Sequence, residues 1–123
     1  MTTSLQELSL FFPKDKRLLN GRDFDAVFSD TNLRASSRFL LMLAKKNEAQ
    51  KPRLGLVIAK KHIRLAVARN RVKRLIRESF RQQQRLGSID VIVLARKGLD
   101  NLDNAQVQHQ LQRLWLRINQ IGA

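Results

Sequence analysis

Between Arg69 and Arg85 the chain reads RNRVKRLIRESFRQQQR, and this stretch constrains the fold more than any other. On a helical wheel Val72, Leu75, Ile76 and Phe80 form one stripe, while Asn70, Lys73, Arg74, Arg77 and Arg81 lie on the other side. One face must be buried, and the other must carry dense positive charge. From Lys60 to Arg85 there are ten lysines and arginines against the single acid Glu78. An ordinary solvated helix balances its cations with acids one turn away. This one does not, so its counter-charge is expected from outside the chain.

The whole sequence repeats that imbalance. Its 123 residues, 43% of them hydrophobic, suit one folded domain with a modest core, and the formal net charge of +14 makes the chain repel itself unless a polyanion is present. Nucleic acid is favoured over an acidic protein or a membrane as that polyanion. Cysteine is absent, and His62 and His109 stand 47 positions apart without a ligand pattern, so no disulfide and no protein-held metal are expected. The apolar run Leu8 to Phe12 is too short for a signal-peptide core, and no window is long enough to span a bilayer. A soluble cytoplasmic protein is the expectation.

Residues 1–12 read as a flexible tail, with Phe11 and Phe12 able to dock locally before Pro13, and residues 13–123 as a single domain. A short amphipathic helix is expected from Asn20 or Gly21 to about Ser29, with Phe24, Val27 and Phe28 at helical spacing. Spacing alone favours a core role for the two phenylalanines over a stacking platform. Arg38 to Lys46 reads as a strand, NEAQKP at 47–52 as a hairpin connection, and Arg53 to Lys60 as a second strand. In that second strand Leu54, Leu56 and Ile58 point to the core, while Gly55, Val57 and Ala59 form a small-residue face. Such a face suits either close approach by another molecule or cover by a protein element. Lys60 to Ala68 links to the basic helix, which Gly87 closes. Ile89 to Ala95 is apolar on both faces and marks a buried central strand, followed by the basic turn Arg96-Lys97-Gly98. A last helix from near Asp103 places Val107, Leu111, Leu114, Trp115 and Ile118 on one stripe, with Trp115 as a core anchor. The crossover through the basic helix is long enough for a parallel strand pair, so the fold class is a small α/β domain.

No enzyme constellation accompanies these elements. His62 has only cations for neighbours, Asp23 and Asp25 suit the first turn of a helix, and Ser79 has no base beside it. There is no glycine-rich phosphate loop. What remains is a kit for binding RNA or DNA: guanidinium groups on a rigid element, the exposed amide of Asn70, aromatic rings and a small-residue strand face.

At Arg69, Asn70 and Arg71, followed by Lys73, Arg74 and Arg77, the sequence resembles the protein subunit family of bacterial ribonuclease P. The resemblance extends through Arg17-Leu18, Asp23-Phe24, Val27-Phe28, the strand RLGLVIAKK (Arg53 to Lys61), the helix Arg69 to Arg81, the strand DVIVLARKG (Asp90 to Gly98) and the tail to Trp115. It implies a mixed α+β fold of order α-β-β-β-α-β-α, akin to a ribosomal-protein RNA-binding domain. It also implies an uncommon left-handed crossover, where pattern alone predicts a right-handed one.

The resemblance further implies a division of labour. The RNA subunit hydrolyses precursor tRNA with magnesium held mainly by RNA, while the protein binds that catalytic RNA and the single-stranded 5′ leader, and no obligate protein partner is expected. By the same token, Arg69, Asn70, Arg71 and Lys73 would face the catalytic RNA near the scission site, with Arg74, Arg77, Lys60 and Lys61 extending that surface. Phe24 and Phe28 would line a leader cleft whose floor is Leu40, Met42, Val57 and Ala59, which displaces the core role favoured by spacing. Some relatives place a tyrosine where Met42 stands. A ribosomal protein that binds rRNA for architecture alone is the alternative; a DNA-binding regulator and an autonomous ribonuclease fit less well.

Overall fold

The computed structural model of the protein describes residues 21–122. The expectations for residues 1–12, for Phe11 and Phe12 and for Arg17-Leu18 lie outside the described residues.

A nine-residue helix, α1 (Gly21–Ser29), opens the described chain with Asp23 in its first turn, where a carboxylate complements the helix dipole. Four strands follow the expected arrangement: β1 (Leu33–Ser36), β2 (Leu40–Lys46), β3 (Arg53–Val57) and, after the basic helix, β4 (Ile89–Ala95). The basic helix is α2 (Ala66–Arg81), and the chain closes with a 3-10 turn at Leu99–Asn101 and α3 (Asn104–Gly122). The sheet order is β1-β2-β4-β3, with β2 antiparallel to both β1 and β4, and β3 parallel to β4. The parallel pair is the one that the length of the crossover predicts, and β4 takes the central, buried place that its apolar sequence requires.

The two faces of the sheet bury different things. Leu40, Met42, Leu54, Leu56, Ile58, Val91 and Val93 join Val72, Leu75, Ile76 and Phe80 of α2 and Val107, Leu111, Leu114, Trp115 and Ile118 of α3 in the main core. Trp115 is fully buried and donates from Nε1 to Ser79 Oγ at 2.8 Å, with its ring 6.0 Å from that of Phe80. A Trp N–H buried this deeply needs an acceptor, and Ser79 supplies it from inside the basic helix. On the opposite face Val27, Leu43 and Ile92 form a second cluster, packed by Phe24, Leu41, Val57 and Leu94.

Three boundaries differ from the sequence reading. Helix α2 begins at Ala66, a turn before the motif, and ends at Arg81, so that Gln82 to Arg85 turn away and bring Leu86 into the core. Nothing apolar in Gln82-Gln83-Gln84 could hold a further helical turn against the sheet. Strand β3 stops at Val57, and the short edge strand β1, which has no periodic signal over four residues, was not placed by pattern. Helix α3 begins with a reciprocal cap: Gln106 N–H donates to Asp103 Oδ1 at 2.8 Å and Asp103 N–H to Gln106 Oε1 at 2.9 Å.

Candidate nucleic-acid interface

The apolar stripe of α2 fixes its roll against the sheet and so decides which cations reach solvent. Asn70, Arg74 and Arg81 are exposed on the helix, as are Lys60 and Lys61 beyond the end of β3. Lys73 and Arg77 are not on the open surface; each keeps only 7% of its accessible area, a correction to the expectation that both face outward. Each lies one residue, or about 100° of helical turn, from Val72 and Ile76 respectively, at the margin of the apolar stripe.

Both motif arginines are engaged within the protein. Arg69 Nη1 donates to the carbonyls of Ile63 at 3.1 Å and Arg64 at 2.7 Å, which ties down the turn that carries Lys60 and Lys61. Arg71 donates from Nε to Asn104 Oδ1 at 2.8 Å and from Nη2 to the Leu102 carbonyl at 2.6 Å. The motif therefore bolts α2 to the loops on its two sides while its middle residue, Asn70, stays exposed. A charge pattern has no way of showing those bonds, because the acceptors are uncharged amide oxygens, those of Arg71 more than thirty residues along the chain.

The second candidate surface is the sheet face under α1. Val27 is fully buried and anchors the helix; Phe24 is half-buried against Leu43 and Ile92, and Phe28 is left 47% exposed. Val57 lies on this face, half-buried, with half-buried Ala59 just past the strand end. Leu40 and Met42 do not: both are fully buried in the main core on the opposite side of the sheet. The half-buried residues of β2 and β4 on the α1 face are Leu41 and Leu94, which the sequence reading missed. Strand alternation separates Leu40 and Met42 from Leu41 and Leu43, yet all four are apolar, so only the register with Val57 assigns the faces. That register is Val57 opposite Leu94 and Leu94 opposite Leu41.

One end of the trough is closed by an ion-pair network. Asp90, 6% exposed, accepts from Arg53 Nε at 2.7 Å and Nη2 at 2.8 Å, and from Asn47 Nδ2 at 2.7 Å. Asp23 of α1 adds a 4.0 Å pairing with Arg53. The hydrogen bond to Asp90, reinforced by its charge, raises the Arg53 pKa against the opposing effect of burial, so the guanidinium stays ionised. Among the described residues no three histidines or acids stand close enough to hold a metal ion, and no helix is long and apolar enough to cross a membrane.

A cationic helix on one side and a half-open apolar trough on the other define an α/β domain built to meet a polyanion. The family model for Ribonuclease P matches residues 12–119, and the chain belongs to that family. It is 50% identical over 108 residues to the ribonuclease P protein component of Pseudomonas aeruginosa, covering 87% of this chain and 80% of that one. Identity to the component of Stutzerimonas stutzeri is 47%, over 91% and 86% of the two chains. Among solved structures, the Staphylococcus aureus RNase P protein superposes with a TM-score of 0.75 at 27% identity, covering 81% of this chain and 92% of that one. The Thermotoga maritima protein gives 0.71 at 29%, covering 85% and 96%.

Proposed function

We propose that this protein, as the protein subunit of ribonuclease P, binds the catalytic RNA through Lys60, Lys61, Asn70, Arg74 and the flanking cations of α2, and grips the 5′ leader of precursor tRNA in the trough beside Phe24 and Phe28. The observation that carries this reading is the placement of Phe28, a large ring left half-exposed one residue after the fully buried Val27. An aromatic ring left open in this way offers a stacking platform for an unstacked base of single-stranded RNA. Phosphates of the two RNAs repel each other, and cations on a rigid helix offset that repulsion.

The protein's contribution is affinity and position. Holding the leader fixes the scissile phosphate relative to the catalytic RNA, which converts a loose encounter into an oriented one. Magnesium and the hydrolysis it supports are assigned mainly to the RNA, as the resemblance to the family implies. The half-buried Arg69 and Arg71 act chiefly by setting the pose of α2, and the surface they shape aids the catalytic RNA in removing leaders to give mature tRNA 5′ ends.

Single-turnover cleavage of precursor tRNA by the catalytic RNA at low magnesium tests this. Adding the protein is expected to raise affinity and rate in a leader-dependent way, and Phe28→Ala to remove most of that dependence. No gain on adding the protein overturns the reading, and so does cleavage by the protein without RNA. Recovery of rRNA in place of one small stable RNA and tRNA precursors after crosslinking in cells would favour an architectural rRNA-binding role.

A further inference from the structure

The two ends of the sheet are charged differently. At the end that carries Lys46 and Ile89, basic residues meet acids of this chain: Arg53 pairs with Asp90 and Asp23, and Lys45 with Asp30. At the other end β3 leads to Lys60 and Lys61, β4 to Arg96 and Lys97, and β2 is entered through Arg38. Among the described residues no carboxylate pairs with any of these five or with Arg117 of α3. The basic turn Arg96-Lys97 belongs to neither surface assigned above.

This end is also held in place. Arg96 N–H donates to the Phe39 carbonyl at 2.9 Å, and its Nη1 to the Ser37 carbonyl at 2.7 Å. Arg117 Nη1 donates to the Ser36 carbonyl at 3.1 Å. Each of these guanidinium groups uses one nitrogen on the β1–β2 hairpin and keeps further donors for a ligand. Arg38 lies over the Phe39 ring, 5.4 Å from its centroid, and Gly98 stands beside the same ring, where an added Cβ would come within 3.1 Å. Gly98 has φ +98°, so the turn that carries Lys97 has both its conformation and its spacing set by glycine.

We infer that this strand-end rim, Arg38, Arg96, Lys97 and Arg117 continuing into Lys60 and Lys61, is a second docking surface for the phosphate backbone of the catalytic RNA. Four strands at about 4.8 Å spacing give the rim a length of roughly 14 Å. At ~3.4 Å of rise per nucleotide that is room for several consecutive phosphates of one strand. Arginine forks suit phosphate oxygens, and Lys60 and Lys61 make the rim continuous with the proposed motif surface. The catalytic RNA is favoured over the leader because the trough residues Phe24 and Phe28 belong to α1, whereas Arg117 extends the rim onto α3.

The inference rests on the reading of this chain as a subunit that binds the catalytic RNA, and the test separates the two. Affinity of the full-length protein for the catalytic RNA is measured across a salt series for the wild type, for Arg38→Gln with Lys97→Gln, and for Lys46→Gln with Lys51→Gln as a control at the acidic end. Thermal melts check that each variant is folded, and Arg38→Lys with Lys97→Arg is the charge-preserving variant. The rim variant is expected to lower the slope of log K against log salt by roughly 1.4 to 1.8, two contacts at ~0.7 to ~0.9 each. The control and the charge-preserving variant keep the wild-type slope, and dependence on leader length is unchanged. A rim variant with wild-type slope and affinity overturns the inference and leaves the subunit reading intact. Loss of leader-length dependence with unchanged affinity for the catalytic RNA overturns it as well, in favour of the leader. Failure of the wild type itself to bind the catalytic RNA ends both readings.

Discussion

Asp90 accepts three hydrogen bonds and is nearly closed off from water, so its removal leaves the partly buried Arg53 guanidinium without its main partner. Asp90→Ala is expected to destabilise the fold by about 3 kcal/mol, in line with breaking a buried pair, measured by urea denaturation. Ser79 shows a milder version of the same logic. Ser79→Ala leaves the Trp115 N–H with no acceptor and is expected to cost about 1 to 2 kcal/mol, with RNA affinity unchanged once the protein is folded. Phe28 behaves in the opposite way, since it is half-exposed and contributes little to the core. Phe28→Ala should alter the melting temperature by no more than about a degree or two while weakening leader binding about fivefold or more, from ~1 to 3 kcal/mol per stacked base. A variant that loses stability but keeps leader affinity would assign Phe28 to packing.

At the scale of elements, the last helix depends on a cap that the chain spells out locally. Asp103 and Gln106 satisfy each other's backbone donors, and Asp103→Ala is expected to lower stability by about 1 kcal/mol, read from the same denaturation curves. The cap also bears on function, because Asn104 and Leu102 beside it receive the Arg71 guanidinium. Elements with strong periodicity were legible in the sequence: the apolar stripe of α2, the β-branched run of β4 and the stripe through Trp115 all sit where their patterns put them. Strand β1 was not located, because four residues carry no period and its position depends on pairing with β2. The faces of β2 were illegible for a related reason, since every residue from Leu40 to Ala44 is apolar and only the partner strands choose between them. The basic helix gave away its charge but not its economy, for Arg69 and Arg71 are committed to carbonyls and Lys73 and Arg77 are largely buried.

Across the whole molecule, net charge of +14 is the property most exposed to solution conditions. If roughly six cations meet phosphates, log K for RNA should fall with log salt at a slope of about 4 to 5, which filter binding or fluorescence anisotropy would measure. The strand order has a further consequence, for how the chain comes into being. Strand β4 joins the β1–β2 hairpin to β3, so neither half of the sheet has its neighbour until residues 89–95 have left the ribosome. Contacts so distant along the chain form slowly. Nascent protein with the arginines of α2 already synthesised but its sheet unjoined is therefore a polycation without a shape, and discrimination among cellular RNAs can begin only once β4 has emerged.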